Sequence, residues 1–424
     1  MAAVAERRLL ADLTPLRVSP AYRRMMIGSA LSNLGSLMTT FAVALQVYLL
    51  THSSAAVGAI GLAVAVPAFL LGPFTGALSD MVERRRLVLV TTVALAATSV
   101  GLAAQAFAGN RHVWVLYLLA GTQATLGTIS APARRTFMPR LLPKELIPSG
   151  AALSMMSMHA AMLGGPLVAG LIVPVGGIKA CYAVDVVSFC AAFYGVFRLP
   201  QMWPEAAPDG RRPGFGAVTD GIRFVLHNRV LAGVLVADIS ATLFAMPVAL
   251  YPAINAERFG GSPRTLGLLS AGLAVGGILG TVFSGPLGRV RRPGLGVLVA
   301  GAVWGAALVG FGIAQELVPT LCFLVVAGVA DVTSVVLRTT IIQVATPDHY
   351  RGRVNALELM VGANVPQVGN FRAGLVAEAT SPGFSASLGG LLAVLGAAGV
   401  GLLLPAIVRY RTDEPVSEAQ PVRR

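Results

Sequence analysis

The chain alternates long apolar runs with short polar islands, and the length of the runs decides what they are. A helix rises about 1.5 Å per residue, so about 20 apolar residues cross the roughly 30 Å of hydrocarbon in a bilayer. Twelve runs are of that order: 25–50, 55–79, 87–108, 113–133, 147–173, 180–197, 230–254, 266–288, 293–314, 318–337, 354–377 and 384–408. No water satisfies backbone polar groups in lipid, so each run is expected to be a helix, whose hydrogen bonds are internal. Ser19 and Pro20 read as a cap and a first helical residue. The run that follows exceeds the roughly 7–15 residues of a signal-peptide core, so the first span is expected to stay in the protein.

Composition supports this reading. Of 424 residues, 12% are charged and 55% hydrophobic, where a soluble chain carries about 25% charged residues. The net charge of +13 does not form one basic patch. The basic residues sit in small groups at the ends of the apolar runs, which argues against a nucleic-acid partner. Twenty-seven lie on the side of the termini and four on the other, with Arg372 inside a run. Positive charge concentrates on the cytoplasmic side of membrane proteins. Both termini of this multi-pass chain are therefore expected in the cytoplasm, with the spans in the cytoplasmic membrane.

The longest polar break, rich in Pro, Gly and Arg, divides the chain. The expected organisation is an N-terminal six-helix bundle over 1–198 with a cytoplasmic N-terminus, a cytoplasmic linker over 199–228, a C-terminal six-helix bundle over 229–408 and a cytoplasmic tail over 409–424. The halves repeat weakly at an offset of 204. It pairs Ser130 with Ser334, Arg134 with Arg338, Thr136 with Thr340, Pro143 with Pro347, Gly165 with Gly369 and Gly170 with Gly374. Two like-oriented repeats that rock about a midplane site are one architecture of secondary transport.

Ionisable groups inside spans are costly and so mark candidate function. Asp238, Asp331, Asp185 and His159 are the candidates for proton coupling, with Asp238 and Asp331 preferred. Arg338 lies seven residues beyond Asp331, close to the same helix face, and Glu358 is expected near the same membrane side. An ion pair or a helix cap is the alternative role for each carboxylate. Substrate sites are mostly apolar with a few placed polar groups. Asn33, Gln46, Gln123, Met246, Tyr251, Asn364 and Gln367 are candidates for such contacts, interhelical hydrogen bonding being the alternative for the amides.

Cys181, Cys190 and Cys322 lie inside apolar runs without a CxxC, which points to neither a disulfide framework nor a metal site. No GxxxxGK[ST], HExxH or GxSxG occurs, so neither ATP hydrolysis nor enzymatic chemistry is expected, and no cofactor.

The island between the second and third runs carries Gly76, Leu78, Asp80, Glu83, Arg84, Arg85 and Arg86. Asp80 can cap a neighbouring helix or pair with an arginine. The pattern GxLxDxxxRRR, placed between spans two and three of twelve, resembles the signature loop of the major facilitator superfamily. Met81 and Glu83 depart from its usual basic residue and glycine, and the second-half copy around Gly285, Leu287 and Arg289 lacks the acid. The stretches 13–23 and 50–58 are similar to the enterobactin-exporter branch; 292–295, 343–347 and 352–355 are shared with macrolide-efflux relatives.

This resemblance implies an all-α membrane protein of the major facilitator fold, with twelve transmembrane helices in two pseudo-symmetric six-helix bundles. It implies gating by Asp80, Arg84 and Arg85, to which charge and position add Arg134, Arg338 and Glu358. It further implies proton-driven export of a catecholate siderophore by a monomer, or alternatively efflux of drugs of the macrolide or tetracycline type. The partners would be protons, the small-molecule cargo and the lipid bilayer.

Overall fold

The computed structural model describes residues 12–203 and 215–411, and within them the chain is helical without strands. The principal helices are α1 (Pro20–Thr51), α2 (Ser54–Met81), α3 (Arg84–Phe107), α4 (Val113–Arg135), α5 (Ile147–Phe197) and α6 (Arg229–Phe244). Then come α7 (Tyr251–Arg258), α8 (Pro263–Val282), α9 (Pro293–Ile313), α10 (Leu317–Ala345), α11 (Asp348–Ala379) and α12 (Pro382–Leu403). Most of the expected linker, 204–214, and of the expected tail, 412–424, lies outside the described residues.

Ten helical stretches among the described residues are long and apolar enough to cross a membrane. One of them, 144–197, is far too long to cross once: at 1.5 Å per residue it would measure about 80 Å. It holds two spans, because Gly177 adopts φ 71° and ψ 177°, which no helix contains. The expected loop between 173 and 180 is thus replaced by helix running up to a single glycine break. The helix α11 has the length of a span, but its amides and charges, among them Asn364, Gln367, Asn370, Glu358 and Arg372, keep it from counting by apolarity. With α5 counted twice and α11 added, the spans number twelve.

The expected unbroken span 230–254 needs correction. Helix α6 stops at Phe244, residues 245–247 are not helical, and one 3₁₀ turn precedes α7. Pro247 has no N–H to continue the helical ladder. The freed groups are satisfied inside the protein, as lipid demands. Arg372 donates to the Phe244 carbonyl, Trp304 Nε1 donates to the Ala245 carbonyl at 3.1 Å, and the Ala249 N–H donates to Asn370 Oδ1 at 3.1 Å. The last expected span, 384–408, likewise breaks at Leu404 before a short turn over Pro405–Arg409.

The contacts divide the chain into one compact unit of residues 1–43 and 74–212 and another of residues 44–73 and 213–424. Buried Val88, Ala133, Phe137, Val196 and Met202 form a core in the first unit. Leu231, Val297, Leu337, Ile341, Val354 and Ile407 do so in the second. Lipid is as apolar as leucine, so helices associate by close packing of small residues. A methyl group on Gly276 of α8 would overlap the Val325 carbonyl of α10.

Candidate functional site

The densest charged group in the second unit centres on Arg338 of α10, whose side chain is 7% exposed. Its Nη1 pairs with the carboxylate of Asp238 from α6, and its Nε donates to Glu358 Oε1 from α11 at 3.3 Å. The hydroxyl of Thr339 donates to that same oxygen at 3.3 Å. One cation therefore ties three helices together. Asp331, two turns before Arg338, is exposed and feels the charges of both Asp238 and Arg338. Two carboxylates contact one guanidinium and a third lies within electrostatic reach, so the group carries an excess of negative charge while all three are ionised.

A second polar group lies in the first unit. Asp185, in the second span of α5, is fully buried. Its Oδ2 accepts from Thr39 Oγ1 of α1 at 2.9 Å and from Ser99 Oγ of α3 at 2.7 Å. Gln123 of α4 donates from Nε2 to Ser99 Oγ at 2.9 Å. His159, on the preceding span, is partly exposed and has no hydrogen-bond partner among the described residues.

At the arginine-rich end of the first unit, Asp80 stands in the last turn of α2; its side chain lies outside the described residues. The N-cap of α3 is Glu83. Glu83 accepts from the N–H groups of Arg85 and Arg86 at 2.9 and 2.8 Å, and from that of Met202 at 2.8 Å. The Arg84 N–H donates to the Met202 carbonyl at 3.0 Å, and the Arg85 guanidinium donates to the Phe197 carbonyl at 2.5 Å while lying over its ring. Arg134 donates to Thr92 Oγ1 at 2.8 Å. A negative side chain suits a helix N-terminus. The sequence carries that signal in Glu83, directly before α3.

The expected cargo contacts are spread widely. Asn33 is exposed, and Gln46 is 8% exposed with a polar partner. Asn364 turns back onto the Met360 carbonyl at 2.8 Å, and Gln367 presents its backbone to Gly61. Met246 lines a small cavity with Phe244, Pro247, Leu308, Arg372 and Ser385. Tyr251, 2% exposed, packs edge-on against Phe311 with ring centroids 5.8 Å apart.

Residues 10–423 match the family described as transmembrane secretion effector. The enterobactin exporter EntS of Salmonella typhimurium (strain LT2) is 25% identical over 415 residues, covering 97% of this chain and 98% of the relative. EntS of Shigella dysenteriae serotype 1 is 25% identical over 404 residues, 95% of each chain. Among solved structures, the nucleoside transporter NupG has a TM-score of 0.73 at 13% identity, covering 92% of this chain and 100% of that one. An inward-facing bacterial homologue of the iron transporter ferroportin has a TM-score of 0.65 at 16% identity, covering 90% of this chain and 98% of that one. At those identities the solved structures speak for the fold: twelve spans in two pseudo-symmetric six-helix bundles, as expected from the sequence.

Proposed function

We propose, from the premise that this chain belongs to the transmembrane secretion effector family of the major facilitator superfamily, that it exports a catecholate siderophore of enterobactin type, driven by the proton gradient. That it is a membrane transporter follows from the family. The observation that carries the choice of cargo is likeness along nearly the whole chain to relatives named as enterobactin exporters.

Coupling is assigned to Asp238, Asp331, Arg338 and Glu358. An ion pair buried in a low-dielectric setting is sensitive to every unit of charge around it. When a proton binds Asp238 or Asp331, the claim of that carboxylate on Arg338 falls, and Arg338 is left to Glu358. Proton exchange thereby alters the ties among α6, α10 and α11. Bundles 1–198 and 229–408 are joined by the linker 199–228, with both termini in the cytoplasm. Asp80, Arg84, Arg85 and Arg134 act at the cytoplasmic closure, and Asn33, Gln46, Gln123, Met246, Tyr251, Asn364 and Gln367 supply cargo contacts. The working form is a monomer.

Deleting the gene should make cells retain catecholate siderophore. Unchanged secretion together with altered antibiotic sensitivity would replace this cargo with a drug of macrolide or tetracycline type. In proteoliposomes, Asp238→Asn or Asp331→Asn should cut transport driven by a pH gradient at least tenfold. Should both variants still move cargo uphill in response to that gradient, the proton is carried elsewhere.

A further inference from the structure

The group around Asp185 plays no part in the coupling just described, and its chemistry is different. It holds a carboxylate and hydroxyls but no cation. Each hydroxyl has one proton to give. Those of Thr39 and Ser99 go to Asp185 Oδ2, the latter oriented by Gln123. The Ser188 hydroxyl donates to the backbone carbonyl of Asp185 at 2.7 Å and lies 3.4 Å from Oδ1. The Ser36 hydroxyl, one turn before Thr39, also interacts with the carboxyl group. Oxygens from α1, α3 and α5 therefore converge on one buried acid.

Gly35 lets α1 pack directly against this carboxyl group. A Cβ on Gly35 would lie 2.7 Å from Oδ1 and 2.5 Å from Ser188 Oγ. No cationic side chain among the described residues pairs with Asp185. On α5, Lys179 is nearest in the chain, six residues away, and its ammonium sits over the Phe107 ring at 5.3 Å. The other titratable groups on α5 are His159 beyond Gly177, the buried Cys181 and Tyr182, and the exposed Cys190 and Tyr194. On α1, Arg23 and Arg24 are at the start; on α3, Arg84–Arg86 are at the start; on α4, Arg134 is turned to Thr92 and Arg135 ends the helix. Each of these stands at least 11 residues from the residue its helix contributes, about 16 Å along the axis.

The fold does not require this group. Helices α4 and α10 begin 204 residues apart, at Val113 and Leu317, and Pro143 and Pro347 share the same backbone angles (φ −56°, ψ 152° and φ −58°, ψ 149°). At that offset Asp185 corresponds to Gly389 and Gln123 to Ala327. The second half makes the same architecture with neither polar group. An unpaired carboxylate within a membrane protein is costly, and one added positive charge would neutralise it.

We propose that Asp185, with Thr39, Ser99, Ser188 and Ser36, is a binding site for one monovalent cation, a proton or Na⁺, separate from the Arg338 cluster. The site rests on the transporter reading only for its access to water on a membrane side, and its test reads ion occupancy rather than transport.

The test uses the full chain in lipid nanodiscs, with infrared difference spectra over a pH series in K⁺ alone, then a Na⁺ series at fixed pH with radiosodium binding alongside. A carboxylic-acid C=O band that vanishes on alkaline titration in K⁺ identifies the proton. A carboxylate change with saturable radiosodium binding identifies Na⁺. In either arm Asp185→Asn should abolish the response, since asparagine keeps an acceptor oxygen for Thr39 and Ser99 but not the charge. Asp238→Asn should leave it in place, which separates this site from the coupling cluster. Thr39→Val should shift the midpoint by about one pH unit, or weaken Na⁺ binding about tenfold, the worth of one hydrogen bond to a charged group; it decides the matter if Asp185→Asn does not fold. The site is refuted if Asp185→Asn leaves both responses as in the wild type, if the wild type responds to neither ion, or if Thr39→Val changes nothing.

Discussion

At Arg338 a single guanidinium serves two carboxylates from different helices, so removing it changes the state of both. Breaking a buried pair by deleting one partner costs about 3–5 kcal/mol, because the remaining charge is left uncompensated. Arg338→Gln should therefore lower the unfolding temperature in detergent and reduce transport at least tenfold. Adding Asp238→Asn should recover part of the lost stability without recovering transport. A single variant that melts like the wild type would show that the pair holds nothing together. The members of this group were visible one by one in the sequence, since a charge inside an apolar run stands out. Their pairing was not, because Asp238 and Arg338 are 100 positions apart and only the packing of α6 on α10 brings them together. The capping of α3 by Glu83 is a local pattern, whereas its bond to the N–H of Met202, more than a hundred residues away, is not.

At the scale of helices, the interruptions carry more information than the helices themselves. Gly177 lies at φ 71° and ψ 177°, a region populated essentially by glycine. Gly177→Ala should destabilise the protein by about 1–3 kcal/mol, read as a lower melting temperature and lower yield. Gly362→Ala, mid-helix in α11 with open space around it, should be neutral or stabilising by up to about 1 kcal/mol. Equal effects of the two would remove the conformational argument. The break after Phe244 was illegible beforehand. A proline within an apolar run bends some helices and ends others, and here the outcome depends on Arg372 and Trp304 accepting responsibility for the freed carbonyls.

For the whole molecule the decisive matter is which ends of the helices meet which aqueous phase. Exposed Arg86 and Arg111 flank α3 at opposite ends. In intact cells, a cysteine replacing Arg111 should react with a membrane-impermeant maleimide, and one replacing Arg86 only after permeabilisation. Labelling of both from one side would dismantle the twelve-span topology. The sequence by itself determined the lipid-embedded, all-helical class, the number of spans and the internal repeat. These follow from run length and backbone hydrogen bonding, which are local along the chain. Tertiary structure alone decided which charges neutralise one another, where the spans break, and that the Asp185 oxygens converge on one point. Such facts depend on side chains from helices distant in sequence meeting where no water competes, and no local pattern encodes that meeting.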